Sequence, residues 1–567
     1  MKKTAAAIIL FFLAITLGSA GDEALVMESM TPIVSKAFTR SGKISTLVRS
    51  INDFMKTSMT IEQKKDFLKD IEEFKNKTGI DPLNENSLKE TGIDTEKPLG
   101  FAYIDKTETV EKMMIFLPVL DGKSFPVRFV QIVKKMKKDA PAADVFPVIT
   151  AYKNYNLYQV QKDLFCTAIN DYLIVSSQGE LLREAIDLGM NTDSSLAADP
   201  LYIDYLRKSR NSNDLNIFAR RDLLMEAVNS FQKGLMQKQP RDEMMENVPQ
   251  GNNTPFPGID MDNTSGYIAV PVMYPAENNS DMSGASSTLN ALDYLVLGLN
   301  LEPRKVQVQI GASFNNSDPM VTSILNILKT GSAGEGIYPT TAVIYGYLGL
   351  DLKKMEDMCR KPAPLCAQYA KIKADIRNDY GIDMAKDFIP ASSGIFNILV
   401  GNPTIGEYTL FLPMTDKKKI QVVNTAMQAH LKKKYAQGNR FGYITLGKNK
   451  GCWFFDKNNK KQFIVADARG LYMSSSDVFL KKVMNEKNIR QVKTGGELLK
   501  KLTDEVFFLT YIQKNMFLSG LIKSQAQANK QLRDATNSIG DIYVSGAKNG
   551  NFISIDLDVA MEIVAGM

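Results

Sequence analysis

The chain is 567 residues long, 44% of them apolar, with 69 Lys and Arg against 63 Asp and Glu and a net charge of +6. That composition supports a packed core, and so small a basic excess over so long a chain argues against a nucleic-acid binder. One histidine and four cysteines, with no Cys-x-x-Cys, exclude zinc sites built from several histidines or paired thiolates.

The first residues have the order of an export signal. Lys2 and Lys3 are followed by the apolar run Ala5 to Leu17 and by Gly18-Ser19-Ala20, small residues at the positions a signal peptidase reads. Residues 1–20 are therefore set aside as a signal peptide, and the mature chain is expected to begin at Gly21, in the periplasm or secreted. The apolar run is short for a membrane span, and later runs are shorter still, so the mature chain is expected to carry no transmembrane helix.

A first helical region ends in the helix Ile61 to Lys77, with Thr60 and Gln63 as a capping box, Phe67, Ile71 and Phe74 as its apolar stripe, and Gly79 closing it. Gly79-Ile80-Asp81 follows, with Asp81 expected to cap a short helix opened by Pro82. Gly92-Ile93-Asp94 is a further copy. Gly100 to Ile104 pairs with Lys112 to Leu117, a strand that Pro118 ends because proline cannot donate to a ladder. An amphipathic helix is expected over Pro126 to Lys138. Three strands then end in Asp171 to Ser177, and the helix Glu180 to Leu188 follows. A buried strand at Leu215 to Ala219 comes next, and a hairpin of Asp293 to Leu301 with Lys305 to Ala312 closes the unit.

From there the pattern returns. Ile115-Phe116-Leu117-Pro118 reappears as Leu410-Phe411-Leu412-Pro413, and Gly79-Ile80-Asp81 as Gly381-Ile382-Asp383 after the stripe Tyr369, Ile372 and Ile376. The second set of strands is Gly394 to Val400, Tyr408 to Leu412, Gly470 to Ser476, Val506 to Tyr511 and a final hairpin around Asn549-Gly550. The fold class expected is therefore α+β, as two tandem pseudo-repeats, each an antiparallel sheet with packed helices. A first unit spans 21–318 with a polar insertion at about 232–287, a helix and Gly-rich linker spans 319–336, and a second unit spans 337–567. Phe116 is expected at the place of Phe411, and Tyr172 at that of Leu471 or Tyr472.

The chemistry on offer is thin. Cys359 and Cys366 flank a segment whose two prolines are expected to keep it out of a helix, and in an oxidising compartment they are expected to form a disulfide; Cys166 and Cys452 lie in strand-like runs as buried thiols. His430 is expected to be a solvent-exposed helical residue. Ser230 and Lys233, with Lys329-Thr330-Gly331 later, follow the order used by penicillin-binding enzymes, but the second motif is expected to end a helix rather than sit on an edge strand. The lysines at 134, 135, 137 and 138 and at 432–434 read as solvated helix ends that suit the macrodipole. The 27 methionines show no regular spacing and read as gap-filling and loop residues. No catalytic, cofactor-binding or metal-binding residue is assigned.

Gly79-Ile80-Asp81-Pro82, Pro98-Leu99-Gly100-Phe101-Ala102, Leu117-Pro118 and Tyr172-Leu173-Ile174-Val175-Ser176-Ser177 resemble an uncharacterised family of exported bacterial proteins, a domain of unknown function. That resemblance implies a bacterial envelope protein and brings no activity or ligand with it. The function expected is non-enzymatic binding of an envelope partner or ligand through a sheet face or an inter-unit groove. The alternative is a hydrolase acting on an envelope polymer.

Overall fold

The computed structural model describes residues 25–59, 61–106, 111–136, 148–209, 214–226, 290–315, 318–332, 342–360, 364–485, 505–513 and 539–561. The segment 1–20 expected as a signal peptide, the insertion expected at about 232–287, Thr60 of the expected capping box, and Ser230 and Lys233 lie outside the described residues.

The fold is α+β, built on antiparallel strands. In chain order these are β1 (Ala37–Lys43), β2 (Pro98–Lys106), β3 (Glu111–Pro118), β4 (Val148–Tyr152), β5 (Tyr155–Gln161), β6 (Leu164–Ile169), β7 (Tyr172–Ser176), β8 (Leu215–Arg220), β9 (Leu292–Glu302) and β10 (Lys305–Phe314). They continue as β11 (Gly331–Ser332), β12 (Ile344–Gly349), β13 (Ile395–Asn402), β14 (Glu407–Pro413), β15 (Phe441–Leu446) and β16 (Asn449–Phe455). The last five are β17 (Lys461–Ala466), β18 (Gly470–Ser474), β19 (Glu505–Ile512), β20 (Ile539–Asn549) and β21 (Phe552–Met561).

Pairing orders the first ten strands as β4-β5-β6-β7-β3-β2-β1-β8-β9-β10. From the opposite edge the later strands run β15-β16-β17-β18-β14-β13-β12-β19-β20-β21. The second order is the first with every strand number raised by eleven. The two series meet where β10 pairs with β21, from Lys305 opposite Ala560 to Ser313 opposite Phe552. One sheet therefore runs through the described residues, and the two series are joined by a strand pair.

Alternation along β3 sends neighbouring residues to opposite faces. Phe116 enters a core beneath the helices Gly179–Met190 and Pro200–Lys208, with Phe38, Tyr202, Phe218 and Tyr294. Leu117 enters the other, beneath Ile44–Ser58 and Phe125–Met136, with Leu47, Ile51, Phe129 and Val133. On β14, Phe411 and Leu412 do the same: Phe411 stacks on Tyr472 with ring centroids 4.6 Å apart, and Leu412 packs with Ile420, Val423 and Met427 of the helix Lys417–Tyr435. Removing such a ring from a closed core costs about 3–5 kcal/mol.

Register also corrects an alignment. Phe116 sits opposite Ile174 and Phe411 opposite Tyr472, and Pro118 and Pro413 face Tyr172 and Gly470. Ile174, not Tyr172, is thus the counterpart of Tyr472. Four strands, β4 to β7, occupy the region expected to hold three.

Local chemistry departs from expectation in three further places. Gly331-Ser332, expected as linker, forms β11 and pairs with Val506 and Glu505 of β19. Pro364 does not exclude a helix but opens one, Pro364–Tyr380, because its missing N–H falls at a position with no intrahelical partner. The short helix Glu85–Thr91 is capped by Asn84, whose side chain accepts from the N–H groups of Asn86 and Ser87. Asp81 instead accepts from the Leu83 N–H and pairs with Lys75 at 2.8 Å.

Candidate functional site

Residues singled out from the sequence are scattered. The Cys359 and Cys366 sulfurs are joined across Cα atoms 5.0 Å apart, with Cys366 in the first turn of its helix. Cys166 and Cys452 are buried, and burial pushes each thiol up to about 12; neither is a thiolate nucleophile near neutral pH. His430, expected in solvent, is half-buried: its Nε2 lies 3.0 Å from the Asn378 carbonyl oxygen. Its ring fills the space beside Gly381, where a Cβ would come within 2.5 Å of it. Gly381 has φ of +72°, so glycine serves both the turn and the close approach there.

Lys329 precedes a strand rather than ending a helix, since the helix Pro319–Ile327 stops two residues earlier and Gly331 begins β11. The exclusion drawn from a helical setting is therefore void. A different observation takes its place: the Lys329 Nζ donates to the Ser393 carbonyl at 2.6 Å. Of the basic helix ends, Lys434 pairs with Asp379 at 2.7 Å. No group of three or more His, Cys, Asp or Glu side chains is placed to hold a metal among the described residues.

Two concavities are informative. One, against the helix Phe125–Met136, is lined by Phe74, Ile80, Ile93, Leu117, Phe129 and Val133 among others, with a cavity volume of about 40 Å³. That holds a water or two in an apolar setting and is far below the ~300 Å³ of small ligand pockets. The other lies at the end of the sheet where β3, the β4–β5 hairpin and the β6–β7 hairpin converge, with a volume of about 600 Å³. Its polar lining includes Asp121, Lys123, Asn154, Asn156, Asn170 and Asp171; half-buried Tyr155 also lines it, and Tyr158 borders it while packing in the core beneath Phe125–Met136.

Turn chemistry builds this cleft. Lys153, Asn170 and Asp171 have φ of +52°, +48° and +61°, the left-handed region that Asn and Asp tolerate best among residues other than glycine. These tight hairpins hold the neighbouring amides at the sheet's end. The Thr167 hydroxyl donates to the Asn156 carbonyl at 3.0 Å and ties the two hairpins together. The Val119 N–H donates to the Asp171 carbonyl at 2.8 Å and ties the second to the end of β3. Asp121 accepts from the Lys123 N–H and the Ser124 hydroxyl, and these bonds, the hydroxyl's first, hold its carboxyl below the usual range. It is a fixed carboxylate, unlike a general acid, which must keep its proton near neutral pH.

The equivalent place in the later strands has different chemistry. The Met414 N–H donates to the Arg469 carbonyl as Val119 does to that of Asp171. Hairpin register sets Lys448 and Lys450 where the first half has Asn154 and Asn156. Arg469 is also paired with Asp467 at 2.7 Å. Lysines thus take, in the later strands, the hairpin positions that amides hold in the earlier ones.

Sequence reading missed this cleft. Its signal is present as Asn154-Tyr155-Asn156 and Asn170-Asp171 between strands, but turn residues of this kind ordinarily serve only the turn.

No protein-family model and no curated protein matches the chain. Among solved structures, crystal forms I, IV and III of TP0453 are similar to it at 8%, 7% and 9% identity, each with a TM-score of 0.23. They span 54%, 53% and 54% of this chain and 86%, 85% and 87% of theirs. A likeness that weak carries no argument. No helix among the described residues is long and apolar enough to cross a membrane.

Proposed function

We propose that this is a non-enzymatic binding protein of the bacterial envelope, made by tandem duplication of one α+β unit, whose first unit takes a neutral, hydroxyl-rich ligand in the cleft at the end of its sheet. The observation that carries the reading is the cleft of about 600 Å³ lined by Asn154, Asn156 and Asn170. Each amide offers both donors and an acceptor, the combination that matches sugar hydroxyls, and the half-buried Tyr155 is the aromatic side chain left to meet the apolar C–H side of a pyranose ring. The identical strand order of the two halves supports duplication. The change from amides to cations at the equivalent hairpin supports a division of labour between them.

Binding is favoured over hydrolysis because acid–base cleavage of a glycan needs one carboxyl kept protonated, whereas Asp121 is held ionised by its hydrogen bonds. Isothermal titration with neutral oligosaccharides tests the reading. Asn156→Ala and Tyr155→Ala are expected to weaken binding at least ~10-fold, the loss of one or two good polar or stacking contacts, and Lys448→Ala to leave it unchanged. Absence of binding at millimolar sugar, or equal affinity in every variant, would overturn it. Release of reducing ends, abolished by Asp121→Asn or Asp171→Asn, would put the hydrolase in its place.

A further inference from the structure

The four strands at the junction, β9, β10, β21 and β20, are amphipathic in an inverted sense. On one face Gln309 donates to Asp556 at 3.0 Å and Gln307 to Asp558 at 3.2 Å, and Ser313, Ser545 and Ser554 share that buried side. The other face is aliphatic and faces water. Leu297 sits opposite Ile310, and Ile310 opposite Ile555, making a row across three strands in which these side chains are 39%, 50% and 41% exposed. A parallel row runs Leu299, Val308, Leu557 and Val544, and the next runs Leu301, Val306, Val559 and Ile542. These flanking side chains are half-buried, Leu301 because it packs against the core beneath Ile44–Ser58. Gly546, opposite Ile555, leaves a gap in the first row.

Solvent does not select such an arrangement. A sheet with one wet face ordinarily turns its polar residues outward, and contiguous aliphatic rows of this kind mark a surface that something covers.

We infer that this face is the seat of a second copy of the chain, two sheets packing aliphatic face to aliphatic face. Three properties of the face favour a like partner. The two series of strands meet at its centre between β10 and β21, so Ile310 and Ile555 sit side by side across the junction and the patch presents similar aliphatic rows in either orientation. Among the described residues the one cation on these four strands' aliphatic face is Lys548, whose Nζ donates to the Leu325 carbonyl, and no basic cluster of the kind that meets anionic lipid lies there among them. Its area fits a weak, reversible pair. Four strands about 4.8 Å apart and seven residues at about 3.3 Å each give roughly 450 Å² per copy. Two copies then bury about 900 Å², under the ~1,000 Å² that stable specific interfaces clear, so the pair is a weak and reversible one. Sheets packed this way keep their strands within about 30° of each other and lie ~10 Å apart.

Sedimentation equilibrium on the full mature chain tests this. The unaltered protein is expected to associate to a dimer across roughly 1–100 µM, and the double variant Ile310→Glu/Ile555→Glu to remain monomeric, with self-association weakened ~100-fold or more by the unpaired charges. Both positions are solvent-exposed in one copy, so the far-ultraviolet circular dichroism of the double variant should match the parent. A conservative control, Ile310→Val, should dimerise like the parent. A parent that is monomeric throughout that range would overturn the inference, as would a dimer indifferent to the double substitution. Flotation of a monomeric parent with zwitterionic vesicles, abolished by Ile310→Glu, would replace the second copy with a lipid surface.

Discussion

Asp214 offers a test of how burial governs this protein's response to pH. It lies just before β8 and is 2% exposed; its carboxylate accepts from the Leu301 N–H at 2.7 Å, and its carbonyl accepts from the Gly42 N–H. Burial raises its pKa from 3.8 to about 6, outweighing the hydrogen bonds from Leu301 and Ser50 that act the other way. An acid with a raised folded pKa keeps its proton in the native state through a window where the unfolded chain has released its own. Unfolding therefore releases a proton between about pH 4 and 6, and stability falls as pH rises through that window. Below it both states are protonated and nothing is lost; above pH 6 the loss is complete. At about 1.36 kcal/mol for each tenfold change in ionisation, the full effect is on the order of 3 kcal/mol. Asp214→Asn keeps an acceptor for the Leu301 N–H and removes the titration. Urea unfolding of parent and variant is expected to diverge with rising pH, the variant gaining up to about 3 kcal/mol at pH 7.5 relative to its standing at pH 4. A difference independent of pH, or one that shrinks as pH rises, would refute the reasoning.

Two further outcomes follow from buried and covalent contacts. Arg40 Nη1 donates to Glu28 Oε1 at 2.8 Å and the Tyr202 hydroxyl donates to the same oxygen at 3.1 Å, all three side chains being buried; Arg40→Met leaves the Glu28 charge without its cation and is expected to cost about 3–5 kcal/mol, while adding Glu28→Gln should recover part of it, measured by chemical denaturation of the two variants. The Cys359–Cys366 bond closes a short loop, with a sequence separation of 7; non-reducing peptide mapping of the native protein should find the two joined, and Cys359→Ser/Cys366→Ser should lower stability by no more than roughly 2–3 kcal/mol.

Much of the secondary structure is written locally. The stripe of Phe67 and Phe74 specifies a helix without reference to anything distant, and Gly79 and Gly381 terminate theirs with φ of +79° and +72° because few other residues enter that region cheaply. The return of Phe-Leu-Pro at Phe411 to Pro413 announced a second set of strands, and the proximity of Cys359 and Cys366 in sequence made their pairing foreseeable. All of these rest on neighbours within a few turns of chain.

What depends on contacts between distant segments was decided only by the tertiary structure. Asn84 displaced Asp81 as a cap because Asp81 is engaged with Lys75. Strand order, and with it the meeting of β10 and β21, follows from which edges find partners across hundreds of residues. The cleft gathers Asp121, Asn154 and Asp171 from three separate hairpins or strand ends, none of which signals the others. The sheet at the junction is the sharpest case. Its alternation of Leu, Val and Ile with Gln, Ser and Asp told that strands would form, but a period of two is blind to which side faces inward. Only the placement of neighbouring elements determined that Gln309 and Asp556 are buried while Ile310 and Ile555 meet the solvent.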